Sequence, residues 1–260
     1  MENKNLPFNH ISRDRESLIE YITLLLTDGY VYHGKKASEI GFVNNSEVLR
    51  IRFATLSNEL FQKKCTASRS MALVPRLRFY SRTVAAELSD VCTFRTKKKN
   101  DKYPVIQFPY LRSKSEMKIV LRTAFTTDGA IVVNLRKFGN KTRIEPNLKL
   151  SCENPSLQKI FSEFLEAFGI SHKIYKNGIS IRKTQSISAF NYIGFLPDVK
   201  IGRDSRRFCG YTKQELFTTI CHLIKNKMLY PSKNKQETET FIKQLMARQA
   251  GAKLSQCAQA

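Results

Sequence analysis

Apolar residues recur at helical spacing through Tyr21-Ile-Thr-Leu-Leu-Leu-Thr-Asp28-Gly29 and again through Leu121-Arg-Thr-Ala-Phe-Thr-Thr-Asp128-Gly129. Each run closes on Thr-Asp-Gly and leads into a strand-like segment, residues 30–33 and 130–136. Alternation of apolar and polar positions in Leu49-Arg-Ile-Arg-Phe53 and Asn147-Leu-Lys-Leu150 predicts a further strand in each half. A helix follows. In the second half Leu157, Ile160, Phe161, Phe164, Leu165 and Phe168 keep a 3.6-residue period between an Asn154-Pro155 start and a Gly169 stop. The first-half counterpart, about 57–67, is shorter. Strands at 73–80 and 179–182 and helices at 83–91 and 186–195 complete the pattern.

The same order is thus written twice: helix, strand pair, helix, strand pair, helix. The expected fold class is α+β, built of two pseudo-symmetric αββαββα halves. Residues 1–94 form the first repeat, 95–112 a polar, proline-bearing linker, 113–230 the second repeat, and 231–260 a C-terminal helix and tail. Ser113-Lys-Ser-Glu116 reads as a capping box opening the second motif helix. Residues 238–249 suit one more helix on the rim, with the last ten residues frayed.

Strand side chains alternate between faces, so each apolar row implies an opposite row. If Leu49, Ile51 and Phe53 face the core, Arg50 and Arg52 face away; Arg76, Arg78 and Tyr80 do so opposite Leu77 and Phe79. In the second half the outward set is Asn134, Arg136, Asn147, Lys149, Ser180 and Arg182. The chain carries 44 Lys and Arg against 22 Asp and Glu, a net charge of +22, which calls for a polyanionic partner rather than a merely solvated surface. A β-ribbon fits the major groove of duplex DNA, where Arg and Lys pair with guanine and Asn with adenine. These outward residues are therefore candidate DNA-binding residues.

Membrane and secretion are not suggested. The longest apolar runs, such as 22–26, fall far short of a bilayer span, and the first residues lack the apolar stretch of a signal peptide. An intracellular site, in cytoplasm, nucleoid or an organelle matrix, is expected. The six cysteines form no C-x-x-C pair and the four histidines are scattered, which argues against a zinc site. Cys221-His222 lies inside an apolar helical pattern and is read as packing.

The doubled Thr-Asp-Gly carries the chemistry. Asp at a helix C-terminus is disfavoured by the helix dipole by a few tenths of a kcal/mol to about 1 kcal/mol. A cation shared by Asp28 and Asp128 would account for finding it twice. Thr23, Thr27, Thr123, Ala124 and Thr127 are small enough to let two such helices pack closely and bring the carboxylates together.

The paired stretches, over residues 14–225, resemble the LAGLIDADG motifs of homing endonucleases. The earlier acidic position of the motif is Leu26 in one copy and Thr126 in the other. The resemblance implies motif helices at the interface of the two halves and antiparallel sheets forming a DNA-binding saddle. It implies Mg²⁺ or another divalent metal held by Asp28 and Asp128, with Gly29 and Gly129 closing the motifs. A basic residue near the attacking water is also implied. Lys200 in Ile193-Gly-Phe-Leu-Pro-Asp-Val-Lys200 is one candidate, and Lys97, by the repeat offset, is either its counterpart or a linker charge. The implied activity is site-specific cleavage of double-stranded DNA at a long asymmetric target by a monomer associated with an intron or intein. A non-cutting relative, such as an RNA maturase or transcription regulator, is the alternative; a general basic RNA-associated protein is the reading from another class.

Overall fold

The structure is a computed structural model that describes residues 14–34, 37–69, 73–92, 106, 111, 113–202 and 207–257. Its organising contact is between two helices, α1 (Arg15–Asp28) and α4 (Lys114–Thr127), which pack along one another. They run parallel. At one end Arg15 Nε donates to Glu116 Oε1 at 2.5 Å, and at the other Asp28 and Asp128 border the same cavity. The contact is lined by small and apolar side chains, with Thr23, Thr123, Leu24 and Ala124 fully buried. Both starts are capped as short polar side chains dictate. Asp14 accepts from Ser17 N at 3.1 Å, and Ser113 and Glu116 form the expected capping box.

From α1 the chain enters β1 (Gly29–His33), β2 (Ser38–Val43), α2 (Glu47–Phe61), β3 (Thr66–Arg69), β4 (Pro75–Tyr80) and α3 (Arg82–Val91). From α4 it enters β5 (Gly129–Phe138), β6 (Lys141–Ser151), α5 (Pro155–Ala167), β7 (Lys173–Tyr175), β8 (Gly178–Ile181) and α6 (Thr184–Phe190). The two sheets have matching antiparallel orders, β1-β2-β4-β3 and β5-β6-β8-β7. The helices cover one face of each. Rings fill the two cores: Tyr21 stacks on Phe53 and Phe53 on Phe42 in the first, while Phe125, Phe190, Phe195 and Phe217 cluster in the second.

The second half is the larger. Its hairpin strands have 10 and 11 residues, against 5 and 6 in the first half. The extra length is supported by α7 (Lys213–Lys225) and α8 (Lys235–Cys257), which pack on β5 and on β5 and β6 respectively. Pro146 sits in β6 beyond the reach of β8, which pairs only with Leu148–Ser151, so its missing N–H breaks no ladder there. The Asn154-Pro155 start and Gly169 stop bound α5 as expected, with Gly169 at φ 68°. The rim helix is longer than its expected 238–249 span; the Ala- and Gln-rich tail continues it through Cys257. Among the described residues no helix is long and apolar enough to cross a membrane, and five cysteines are free. Nearly all of 95–112 lies outside the described residues.

One expected element is of the wrong kind. Leu49-Arg-Ile-Arg-Phe53 is not a strand but the start of α2, capped by Ser46. The run satisfies two periods at once, because Leu49 and Phe53 are both two steps of alternation and one helical turn apart. Ile51 decides between them: a strand would bury it, and it is 58% exposed, whereas Leu49, Phe53 and Leu56 are buried. The helix expected at 57–67 accordingly ends at Phe61, and 66–69 is strand.

Arg50 and Arg52 therefore lie on a helix and not on a sheet face. Arg52 forks onto Glu20 of α1, Nε to Oε1 at 2.7 Å and Nη2 to Oε2 at 2.8 Å, while Arg50 donates to the carbonyls of Asn44 and Asn45. Glu20 has a side chain only 4% exposed, so this pair ties α2 to the motif helix. Arg52→Ala is expected to lower the unfolding free energy by about 1–3 kcal/mol through the stranded carboxylate. Ile51→Ser changes it by less than about 0.5 kcal/mol. Urea melts check both, and a large loss for Ile51→Ser would restore the strand.

Candidate active site and nucleic-acid face

Parallel packing of α1 and α4 puts the negative ends of both helices, and an aspartate at each, in one place. Asp28 ends α1 and Asp128 caps α4, both half-buried. They border a cavity of about 530 Å³ together with Thr27, Ser151, Glu153 and Asn154. Asn44 Nδ2 donates to Asp28 Oδ2 at 2.7 Å and so orients that carboxylate. The Asp128 backbone is fixed too, since its carbonyl accepts from Ser151 N at 3.1 Å.

The glycines after the aspartates are required by close packing and not by their dihedral angles. Gly29 is extended, at φ −109°, and neither it nor Gly129 has positive φ. What excludes a side chain is proximity: a Cβ on Gly29 would lie 2.6 Å from Leu25 Cα, and one on Gly129 2.2 Å from Phe125 O. Glycine lets each sheet start directly against the last helical turn. The Gly129 carbonyl accepts from Lys213 Nζ at 2.7 Å.

Lys213 is the residue that the sequence did not single out. It opens α7, whose Thr212 and Glu215 form a capping box, and its Nζ also donates to Thr126 O at 2.5 Å. An ammonium thus satisfies terminal carbonyls of α4 and opposes its dipole. Burial pushes its pKa down to about 8, against the pull of Asp128 and Asp28, both close enough to act on its charge. Lys200 is exposed and contributes through its backbone: it bridges to Thr212, and the flanking bonds Lys213 N to Val199 O (2.9 Å) and Ile201 N to Tyr211 O (2.8 Å) seat Lys213. Both lysines and Asn44 border a second cavity of about 900 Å³. Lys97 lies outside the described residues.

Thr126, where the resemblance places an acid, has its own task. Its buried hydroxyl donates to Arg122 O at 2.6 Å and accepts from Leu196 N at 2.8 Å, pinning the segment that leads to Lys200. Cys221 packs partly buried against the core, and burial pushes its thiol up to about 12.

The open sheet faces carry the remaining candidates. Arg76, Arg78 and Tyr80 share the first face with Tyr30 and Glu39; Arg76 Nε donates to Ser68 Oγ at 3.0 Å, and Arg78 lies over the Tyr80 ring at 5.5 Å. On the second face Asn134, Arg136 and Lys149 are exposed, and Arg182, just beyond β8, lies 5.7 Å over the Tyr175 ring. Asn147 and Ser180 keep the expected face but not the expected exposure, at 4% each. Ser180 Oγ donates to Asn147 Oδ1 at 2.7 Å and accepts from Arg182 Nε at 3.3 Å, so the two form the floor under Arg182. Tyr30, Glu39, Arg143, Glu145 and Tyr175 also belong to these faces and were not anticipated.

Two sheets flanking paired helix ends define a class: the chain carries the fold of the LAGLIDADG homing endonucleases. Among solved structures it is similar to the meganuclease I-SmaMI bound to uncleavable DNA, with a TM-score of 0.55 and 9% identity over 90% of this chain and 97% of that one. The I-LtrWI LAGLIDADG homing endonuclease bound to target DNA gives 0.54 and 11% identity over 89% and 97%. I-DmoI in complex with DNA and Mn overlaps 68% of this chain and 96% of that one, at 14% identity and a TM-score of 0.47. No protein-family sequence model matches the chain, and no curated protein matches it in sequence.

The Lys213 environment has a measurable signature. In the folded protein the proton leaves at about 8, whereas the unfolded chain keeps it to 10.5, so between these values the unfolded state binds more protons and stability rises with pH. The difference in unfolding free energy between wild type and Lys213→Met is expected to grow in the wild type's favour across that window. A flat difference would show that the ammonium is not buried.

Proposed function

We propose that this protein is a site-specific endonuclease that hydrolyses both strands of double-stranded DNA with a divalent metal, Mg²⁺ in the first instance. The observation that carries the reading is the shared cavity of Asp28 and Asp128 at the end of two parallel helices, each of which leads directly into a sheet with a basic open face. Among the described residues there is no cluster of three metal-binding side chains. Two carboxylates suit an ion that takes the rest of its oxygen shell from phosphate and water, which is the habit of Mg²⁺. A metal bound there supplies charge neutralisation at the scissile phosphate and a more acidic water.

The chain's own residues do the rest. Asn44 holds Asp28 in one orientation, and Lys213 adds a cation beside the aspartates, where negative charge accumulates when a phosphate enters. The open faces would lie in the major groove on either side of the cut. They differ at corresponding register positions, where Arg78 and Tyr80 of one face match Ser180 and Arg182 of the other and Gly41 matches Lys149. That difference supports a monomer that reads an asymmetric target, as an intron- or intein-associated enzyme acting inside the cell would.

Asp28→Asn and Asp128→Asn are each expected to abolish cleavage in Mg²⁺ while retaining duplex binding, because the amide keeps the shape and removes the charge. Asn44→Ala, which frees the carboxylate without removing it, lowers cleavage by about 10–100-fold. The assay is cutting of a library-selected site, with EDTA as the control. Wild-type protein that binds this duplex and never cuts it would favour the non-cutting binder.

Reading and gripping separate in a second experiment. Alanine at Arg76, Arg78, Arg136, Lys149 or Arg182 is expected to relax preference at a few adjacent base pairs, by about 1–3 kcal/mol per good bidentate contact. First-half changes act on one end of the target and second-half changes on the other. Uniform losses over all single-base variants of the site would reduce these residues to phosphate contacts.

A further inference from the structure

The described strands hold two carboxylates, Glu39 in β2 and Glu145 in β6, among many more basic side chains. Both sit on the open faces, and each stands between two arginines. Glu39 is the more enclosed, with its side chain 16% exposed. It accepts from the Tyr30 hydroxyl and from Arg78 Nη1 at 3.3 Å, and Arg76 Nη1 is 4.0 Å away. Its strand neighbours in register are Tyr32 and Tyr80. Arg76 is held at further points, by Ser68 Oγ and by the Tyr30 hydroxyl. Burial opposes ionisation of Glu39, but these hydrogen bonds and guanidinium charges hold its carboxyl below the ordinary value.

A carboxylate facing the phosphates of a duplex repels every sequence alike, so its presence on this surface works against affinity. An unrestrained arginine does the reverse: its long chain reaches any phosphate. A guanidinium locked in one position can donate well only where a base edge offers its acceptors in matching places, as guanine does with O6 and N7. Resting on the DNA-binding reading above, we propose that Glu39 is a specificity-determining positioning residue. It fixes Arg76 and Arg78 as a pair and discounts their attraction to phosphate, so that their binding energy is realised on matching base pairs. Glu145 plays the same part more weakly, since it pairs Arg136 at 3.1 Å and Arg143 at 3.8 Å with 30% of its own side chain and 70% of the Arg136 side chain exposed.

The test uses the full chain in EDTA, the library-selected duplex, and a scrambled duplex of equal length. Glu39→Gln is expected to bind the scrambled duplex more tightly than wild type does, with a salt slope steeper by about 0.9 for a released arginine. The selected-to-scrambled affinity ratio falls at least about fivefold, with preference relaxed at the base pairs that Arg76→Ala and Arg78→Ala also affect. Glu39→Asp, which keeps the charge but not the reach, lowers the ratio without steepening the slope. Glu145→Gln gives the smaller change of the two amides, and circular dichroism checks that each variant folds.

An unchanged ratio in Glu39→Gln overturns the proposal. So does an equal gain on both duplexes, which is bulk electrostatics. A change confined to one C·G pair that persists in the Arg76→Ala, Arg78→Ala background overturns it as well, because Glu39 then reads cytosine directly. Wild-type protein that does not distinguish the selected duplex from the scrambled one refutes the DNA-reading function itself, and this proposal with it.

Discussion

Everything in this molecule is arranged around two helices that run side by side in the same direction. Antiparallel neighbours cancel their dipoles, whereas α1 and α4 add theirs, and they do so with an aspartate at each negative end. The arrangement is held from both ends. Arg15 and Glu116 close the amino-terminal side, and Asn44 and Lys213 occupy the carboxyl-terminal side. Threonine hydroxyls turned back onto the preceding turn, Thr27 onto Thr23 and Thr127 onto Thr123, keep the helix surfaces thin where they meet. With the helices fixed in this way, the sheets that begin at Gly29 and Gly129 have no choice of direction. The saddle is a consequence of the helix pair.

On the function proposed above, the two open sheet faces of this strongly basic protein must select as well as attract. A net charge of +22 guarantees attraction to polyanions and discriminates between none of them. Discrimination needs rigid donors. In this chain, rigidity comes from hydrogen bonds between side chains on the open faces: Tyr30, Glu39, Arg76 and Ser68 on one, and Asn147, Ser180 and Arg182 on the other. By strand register Glu39 and Asn147 hold corresponding positions, so each sheet has a polar acceptor among its basic side chains.

The motif helices, the repeated element order and the outward rows of β4, β5 and β6 could be read from periodicity, because tertiary packing there agrees with the local pattern. The failures have equally local causes. Leu49 and Phe53 fit a strand and a helix turn together, and only the burial of Leu56 and the exposure of Ile51 separate the two; Ser46 was the available signal, a cap residue just ahead of the run. Asn147 and Ser180 show that alternation fixes a side chain's face and says nothing of what covers it. Asn44 and Lys213 were not legible at all. Asn44 lies in a polar loop like many others, and Lys213 is one lysine among many at a helix start, where a cation is ordinarily unfavourable. Their importance depends on contacts with Asp28 and Gly129 from distant parts of the chain.

The loop from α6 to α7 shows what such long-range contacts achieve. It leaves the core at Leu196, bonded to Thr126, and returns at Lys213, bonded to the carbonyls of Thr126 and Gly129, with a short backbone ladder between 199–201 and 211–213 closing the circuit. Ammonium and helix end are thus parts of a single truss rather than neighbours on separate supports. If the outer strands flex to follow a bent or twisted duplex, the truss travels as a unit, and the separation of lysine and aspartate is carried along unaltered. The sheets can therefore be compliant, and can diverge in sequence, while the tolerance at the centre stays tight.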